Sequence, residues 1–321
     1  MIKAGIIGAA GYTAGELIRI LINHPEVEIV FAQSASHAGE ALWKAHADLF
    51  GDCSLTFSES APVSDADVVF LCSGHGKSAQ ITASFPPGYS GCIIDLSNDF
   101  RLAADAGDYI YALPEAFRSR IAGAKHLANP GCFATAIQLA LLPAAKAGLL
   151  SEVHITGITG STGAGQKPSE TTHFSWRSDN LSIYKPFTHQ HLAEIRETLL
   201  SFSPSWSGNI NFVPIRGDFT RGILVSAYFD CGLTEEEAVQ LYEEYYRDEP
   251  FTFVCKENPD LKMVTGTNKA LVYPRKYGSK LHITCVIDNL LKGASGQAVQ
   301  NMNILFGIPE KTGLALKANR W

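Results

Sequence analysis

The sequence predicts an α/β protein in two parts, the first built on a parallel sheet and the second of α+β type with a mostly antiparallel sheet. Three observations predict it. Strand and helix patterns alternate through the first ~100 residues, a glycine-rich turn follows the first strand, and after Gly131 the rhythm changes to one long apolar helix and a β-rich remainder.

Taken in order, "IKAGIIG" reads as a buried strand. "YTAGELIRILIN" places Leu17, Ile18 and Leu21 at helical spacing and stops at His24-Pro25. "VEIVFA" and "DADVVFLC" are strands, a helix is expected from Lys77, and "GCIID" is a further strand. Repetition of this kind implies parallel pairing through crossover connections, a Rossmann-like half. Beyond Gly131, "FATAIQLALLPAAKAG" is a long apolar helix, and "EVHITGITG" is a strand leading into a Gly/Ser-rich loop. "NINFVPI", "RGILVSAYF", "FTFVC" and "SKLHITCVI" carry β patterns. "TEEEAVQLYEEYYRD" opens as a helix on a Thr234/Glu237 capping box. "GASGQAVQNMNILFG" is helical and is expected to pack back on the first domain. One domain is therefore expected over residues 1–131 and 296–321, and a catalytic and oligomerisation domain over residues 132–295.

A chain of 321 residues with 46% apolar and 18% charged residues is ordinary for a soluble enzyme and large enough for two cores. The net charge of -6 and the lack of any basic run argue against a nucleic-acid partner. No stretch reads as a membrane span or a signal peptide. Seven cysteines without C-x-x-C spacing argue against a disulfide framework or a structural zinc, so no metal is expected and the cytosol is the expected compartment.

Gly8, Gly11 and Gly15 lie between the first strand and the first helix, where backbone N–H groups and the helix dipole can hold a pyrophosphate. Glycines also serve such turns for geometry alone, but this position within a βαβ pattern favours a dinucleotide. The second strand ends in "FAQSASHAG", with no acid to bond a ribose 2′-hydroxyl; Ser34 and Ser36 stand there instead, which favours NADP(H) over NAD.

Cys132 follows "ANPG" and opens the long apolar helix. A thiol there feels the positive end of the helix dipole and becomes a better nucleophile. A buried capping thiol would occupy the same place. His189 and His191 in "KPFTHQHLAEI" are candidate acid/base partners, and two surface histidines would look the same. "STGAGQK", with Ser161 and Gly163, could hold phosphate on backbone N–H groups, or be a plain loop. Arg221 could clamp a carboxylate or phosphate, or form a surface ion pair. Gln297 could bond a nicotinamide carboxamide, or cap a helix.

The blocks "GAAGYTAGEL", "IIDLSNDFRL", "YALPE", "ANPGCFATA", "TGSTGAGQKP", "HQHLAEI" and "VIDNLLKGASGQAVQNMN" resemble, in order, those of the N-acetyl-γ-glutamyl-phosphate reductases. The resemblance runs from residue 8 to residue 303. It implies NADPH-dependent reduction of an N-acyl-glutamyl 5-phosphate, acetyl or succinyl, to the semialdehyde in arginine biosynthesis. A thioester would form on Cys132, with the acid/base group among His189 and His191, and the assembly would be a homodimer or homotetramer. Candidate cofactor residues are Gly8, Gly11, Tyr12, Thr13, Gly15, Ser34, Ser36, His75, Gly163, Asn289 and Gln297. Candidate substrate residues are Asn129, Ser161, Gly163, Arg101 and Arg221. Two departures stand out. Ala14-Gly15 reverses the order of the family's G-Y-x-G-x-E-L turn. Ala35 replaces an Arg often found between the two serines, leaving Ser34, Ser36 or Lys44 to meet a 2′-phosphate. Aspartate-semialdehyde dehydrogenase, a reductase of carrier-protein-linked aminoadipyl or glutamyl phosphates, and a noncatalytic NADP sensor are the competing readings.

Overall fold

In the computed structural model, which describes residues 1–319, the expected alternation gives a parallel sheet. Its elements are β1 (Ile2–Ile7), α1 (Tyr12–Leu21), β2 (Val27–Gln33), β3 (Val68–Leu71), α2 (Ser78–Ala83), β4 (Cys92–Asp95), β5 (Ile110–Tyr111), α3 (Pro114–Ala122) and β6 (His126–Ala128). The strand order is β2-β1-β3-β4-β6-β5, and every neighbouring pair is parallel. The chain passes from β1 outward to β2, then returns to the other side of β1 as β3. This reversal opens a crevice at the carboxyl ends of β1 and β3, where ligands of open α/β sheets bind. Leu17, Ile18 and Leu21 of α1 are buried at their helical spacing. Short α2 is held at its start by the Asp99 carboxylate, which accepts the N–H groups of Gly76 (2.6 Å), Ser78 (2.8 Å) and Ala79 (3.3 Å).

The second sheet is assembled from β7 (Val153–Thr159), β8 (Ser182–Ile183), β9 (Ile210–Arg216), β10 (Ile223–Asp230), β11 (Thr252–Val254), β12 (Ala270–Tyr277) and β13 (Lys280–Ile287). The helices of this part are α4 (Cys132–Lys146), α5 (Phe174–Arg177), α6 (Leu192–Phe202) and α7 (Glu235–Tyr246). The order β11-β12-β13-β10-β7-β9-β8 makes a mixed sheet. Four neighbouring pairs are antiparallel, but β11–β12 and β7–β9 are parallel, so the expectation of a mostly antiparallel sheet holds only in part. A π-helical turn (Leu291–Ser295) then runs into α8 (Gly296–Leu305).

The chain divides into one unit of Met1–Pro130 with Ala294–Ala315, and a second of Gly131–Gly293 with the residues from Leu316. The last residues thus group with the second unit, whereas the sequence assigned everything after residue 295 to the first; residues 320 and 321 lie outside the described residues.

Helix α4 is the centre of the second unit. Every residue from Phe133 to Ala145 is buried, as expected of a helix apolar on all sides. It contains Pro143, which has no N–H to bond the carbonyl of Leu139 four residues back. The hydroxyl of Tyr246, itself buried, supplies the missing donor at 2.5 Å, and Tyr242 donates to the adjacent Ala140 carbonyl at 2.7 Å. The Thr234/Glu237 capping box anticipated for α7 is formed in both directions.

Tyr246→Phe keeps the packing but leaves the buried Leu139 carbonyl without this donor. It should lower the unfolding free energy by about 1–3 kcal/mol, measured as a shift in denaturant midpoint at unchanged slope.

Candidate active site

In the first unit, β1 delivers the chain to Gly8 with φ +79°, a conformation that favours glycine. A Cβ here would stand 2.7–2.8 Å from the backbone of Cys72 and Ser73, so only glycine lets the turn lie against the end of β3. At Gly11, the extended N-cap of α1, a Cβ would meet nothing within 4 Å, and no side chain caps the helix. The helix start therefore opens onto space with its positive end exposed, which fits a pyrophosphate. Gly15 faces inward instead: a Cβ would strike the His46 ring at 2.6 Å, and His46 bonds the Ala9 carbonyl at 2.8 Å. Its role is close packing, and Ala14 beside it is fully buried. Tyr12 and Thr13 form the first turn of α1, with Tyr12 exposed.

A cleft of about 650 Å³ lies in the same unit. Ile7 and Gln33 from the strand ends line it, with Val63, Ser73, Lys77 and Phe85. Ser34 is buried and Ser36 exposed, their hydroxyls 3.3 Å apart. The Lys44 ammonium sits 4.4 Å over the Trp43 ring. His75 is exposed, and its Nδ1 accepts the Asn98 N–H. Gln297 is fully buried in α8. Arg101 is buried and donates to the carbonyls of Asn129 (2.9 Å) and Leu96 (3.2 Å). The Asn129 side chain donates to the Ala294 carbonyl and accepts from Asn301. Both residues thus fix the strand end that precedes Cys132 in the chain.

In the second unit Cys132 is the first residue of α4. The Gly131 N–H before it donates to the buried Glu194 carboxylate at 3.1 Å. His191 Nε2 fills the space that a Cβ on Gly131 would need. Glu194 lies three residues after His191 on α6, its carboxylate 3.9 Å from His191 Nε2, an ion pair when the ring is protonated. Gly293 packs closely against the stem of Cys132: a Cβ there would be 2.8 Å from the Cys132 Cβ and 3.3 Å from its Cα.

The rings of His189 and His191 lie 4.6 Å apart, but in unlike settings. His189 Nδ1 accepts the His191 N–H at 3.2 Å, so in the neutral ring the proton sits on Nε2. Phe133, Phe212 and Tyr184 enclose it edge-on. Burial first, then Lys185 and Arg216, push His189 down to about 4. Tyr184 is pushed up to about 12, mainly by burial and then by Cys132, against the pull of Arg216. It therefore stays a hydroxyl donor.

The cations around this site have different fates. The Arg221 fork is taken by fully buried Asp288, through bonds of 3.1 Å from both Nε and Nη2. Arg177 donates to the carbonyls of Thr171, Asn180 and Arg216 and so ties the loop before β8. Arg216, at the end of β9, stacks 4.8 Å over the Tyr184 ring and makes no ion pair among the described residues. The loop after β7 is also committed. The N–H groups of Ser161, Thr162 and Gly163 donate to the carbonyls of Phe219, Thr220 and Gly160. Asn289 bridges this loop to Gly222, accepting the Gly222 N–H and donating to Thr162. Among the described residues no group of three or more His, Cys, Asp or Glu side chains could hold a metal ion, and no helix is long and apolar enough to cross a membrane.

Residues 3–124 match the family described as "Semialdehyde dehydrogenase, NAD binding domain", and residues 132–289 match "Semialdehyde dehydrogenase, dimerisation domain". Among solved structures, aspartate semialdehyde dehydrogenase II of Vibrio cholerae has the same fold, with a TM-score of 0.71 over 96% of this chain and 99% of that one, at 17% identity. Proteins named N-acetyl-gamma-glutamyl-phosphate reductase are far more alike in sequence. That of Parabacteroides distasonis is 54% identical over 99% of each chain, that of Bacteroides fragilis (strain YCH46) 53% and that of Flavobacterium johnsoniae 52%, both also over 99% of each chain. The chain belongs to the N-acetyl-γ-glutamyl-phosphate reductase family.

Proposed function

We propose that this protein reduces an N-acyl-glutamyl 5-phosphate to the N-acyl-glutamate 5-semialdehyde, releasing inorganic phosphate. The observation that carries the reading is Cys132 at the start of α4, with His191 seated against Gly131 and backed by Glu194. The Cys132 thiolate attacks the acyl carbonyl, the C–O bond to phosphate breaks, and a thioester remains. NADPH, when bound, supplies the hydride that reduces the thioester carbon. His191 donates a proton to the resulting thiohemiacetal oxygen and takes it back as the C–S bond breaks, which frees aldehyde and thiolate. The start of α4 favours the thiolate at both ends of this cycle. His189 contributes as a neutral ring, its Nε2–H a hydrogen-bond donor into the site. Arg216 receives the substrate's α-carboxylate, a role supported by its lack of an ion-pair partner; Arg221 is held by Asp288.

The open helix start at Gly11 and the lack of an acid at the end of β2 support NADPH as the reductant. A homodimer or homotetramer in the cytosol is the working assembly, supported by the dimerisation domain of the family and by seven cysteines without C-x-x-C spacing. The direct assay runs backwards, with NADP, phosphate and N-acetyl- or N-succinyl-glutamate semialdehyde, following NADPH absorbance. Phosphate-dependent reduction of NADP is expected, and the better aldehyde names the acyl group. Activity with aspartate semialdehyde alone would overturn the reading.

Cys132→Ser should bind NADPH normally and lose nearly all turnover. His191→Asn should lose about 10²–10⁴-fold in kcat, and His189→Asn distinctly less; equal mild losses would move the acid/base role elsewhere. Arg216→Met should raise KM for the aldehyde about tenfold or more while leaving KM for phosphate unchanged; the reverse pattern would put phosphate at Arg216. Because His189 is held neutral in the fold but titrates near 6.5 when unfolded, the unfolded state binds more protons between these values. Stability should therefore fall as pH drops from about 6.5 toward about 4. His189→Asn should flatten that slope in denaturant titrations across the same range.

A further inference from the structure

We infer that Lys77 is the residue by which this protein distinguishes NADPH from NADH, holding the 2′-phosphate that the second strand's loop leaves without a cation. The inference rests on the proposed use of NADPH. Ala35 stands between the two serines of that loop, and the cations near it are engaged or turned aside. Lys44 lies over the Trp43 ring, and His37 is bonded to Glu40 at 2.8 Å.

Lys77 has neither restraint. It sits in the turn between β3 and α2, beside the crevice created where the chain crosses from β2 back to β3. It lines the 650 Å³ cleft together with Gln33 at the end of β2, and among the described residues it is the sole charged one that does. Among the described residues no carboxylate lines the cleft to repel a dianion. Lys77 is exposed and makes no ion pair or side-chain hydrogen bond among the described residues. Asp99, the acid associated with this turn, is committed to the N–H groups of Gly76, Ser78 and Ala79. The rest of the lining suits an adenosine: Val63, Ile81 and Phe85 offer apolar surface, and Gln33 and Ser73 offer polar groups. An ammonium on a flexible stem reaches a phosphate as a point charge, which tolerates the absence of a second cation.

The test uses the full chain and binding rather than turnover. Titration calorimetry with 2′,5′-ADP and with 5′-AMP measures the 2′-phosphate preference of the native protein, of Lys77→Met and of Lys44→Met. The native chain and Lys44→Met should prefer 2′,5′-ADP. Lys77→Met should lose about tenfold or more of that preference with 5′-AMP binding unchanged, and Lys77→Arg should restore most of it. A Lys77→Met protein that keeps the full preference overturns the assignment, as does loss of preference in Lys44→Met alone. A native protein with no 2′-phosphate preference would instead remove the NADPH reading beneath it.

Discussion

At the start of α4 the imidazole of His191 occupies the volume that any side chain on Gly131 would need, and the Glu194 carboxylate holds the Gly131 N–H from the same direction. The pair of contacts fixes two things together: the entry of the chain into the helix one residue before Cys132, and the position of the ring. Because His191 and Glu194 are three residues apart on one face at the head of α6, the two helices set each other's ends. Gly293 packs in turn against the Cys132 Cβ and Cα. Two glycines, Gly131 and Gly293, thus leave no room for a side chain on either close neighbour of Cys132, the residue proposed as nucleophile.

Each unit presents the positive end of a helix, in different surroundings. At Gly11 the positive end of α1 opens onto solvent, and at Cys132 the positive end of α4 is given to a sulfur. The surroundings separate them. The first helix start is bare and suits a ligand that brings its own charge. The second lies beside a buried carboxylate and two histidines enclosed by aromatic rings, surroundings that suit the charge the proposed chemistry would form and discharge there. His189 shows the cost of such packing: enclosed by Phe133, Phe212 and Tyr184, it is kept neutral well below its ordinary range.

Much of this was legible in the sequence because the signals were local. The strand, turn and helix of residues 2–21, the cysteine at a helix start and the Thr234 capping box all depend on neighbours within a few positions. Strand β12 was not legible, since Pro274 and the charges of Arg275 and Lys276 interrupt its pattern. The proline is tolerated because β11 pairs only with Ala270–Val272, which leaves Pro274 on an uncovered stretch of edge. The sequence singled out Arg221 and not Arg216, and what turns the choice around is Asp288, sixty-seven residues beyond Arg221, which takes the Arg221 fork. Glu194 carried a readable signal that was passed over, an acid three residues after a histidine at the head of an otherwise apolar helix face. The glycine-rich loop at residues 161–165 misled in the opposite sense. Its composition suggested open N–H groups, but the first three are already bonded to neighbouring carbonyls.

The bond from Tyr246 to the Leu139 carbonyl joins two positions that share no sequence proximity. A proline at 143 creates a vacancy in the helix ladder, and a hydroxyl at 246 fills it. Each makes sense only in the presence of the other. In a chain with an ordinary residue at 143 the ladder would close by itself, and selection on the hydroxyl would relax. The two positions therefore form one inherited character, and among descendants of a common ancestor they are expected to change as a pair.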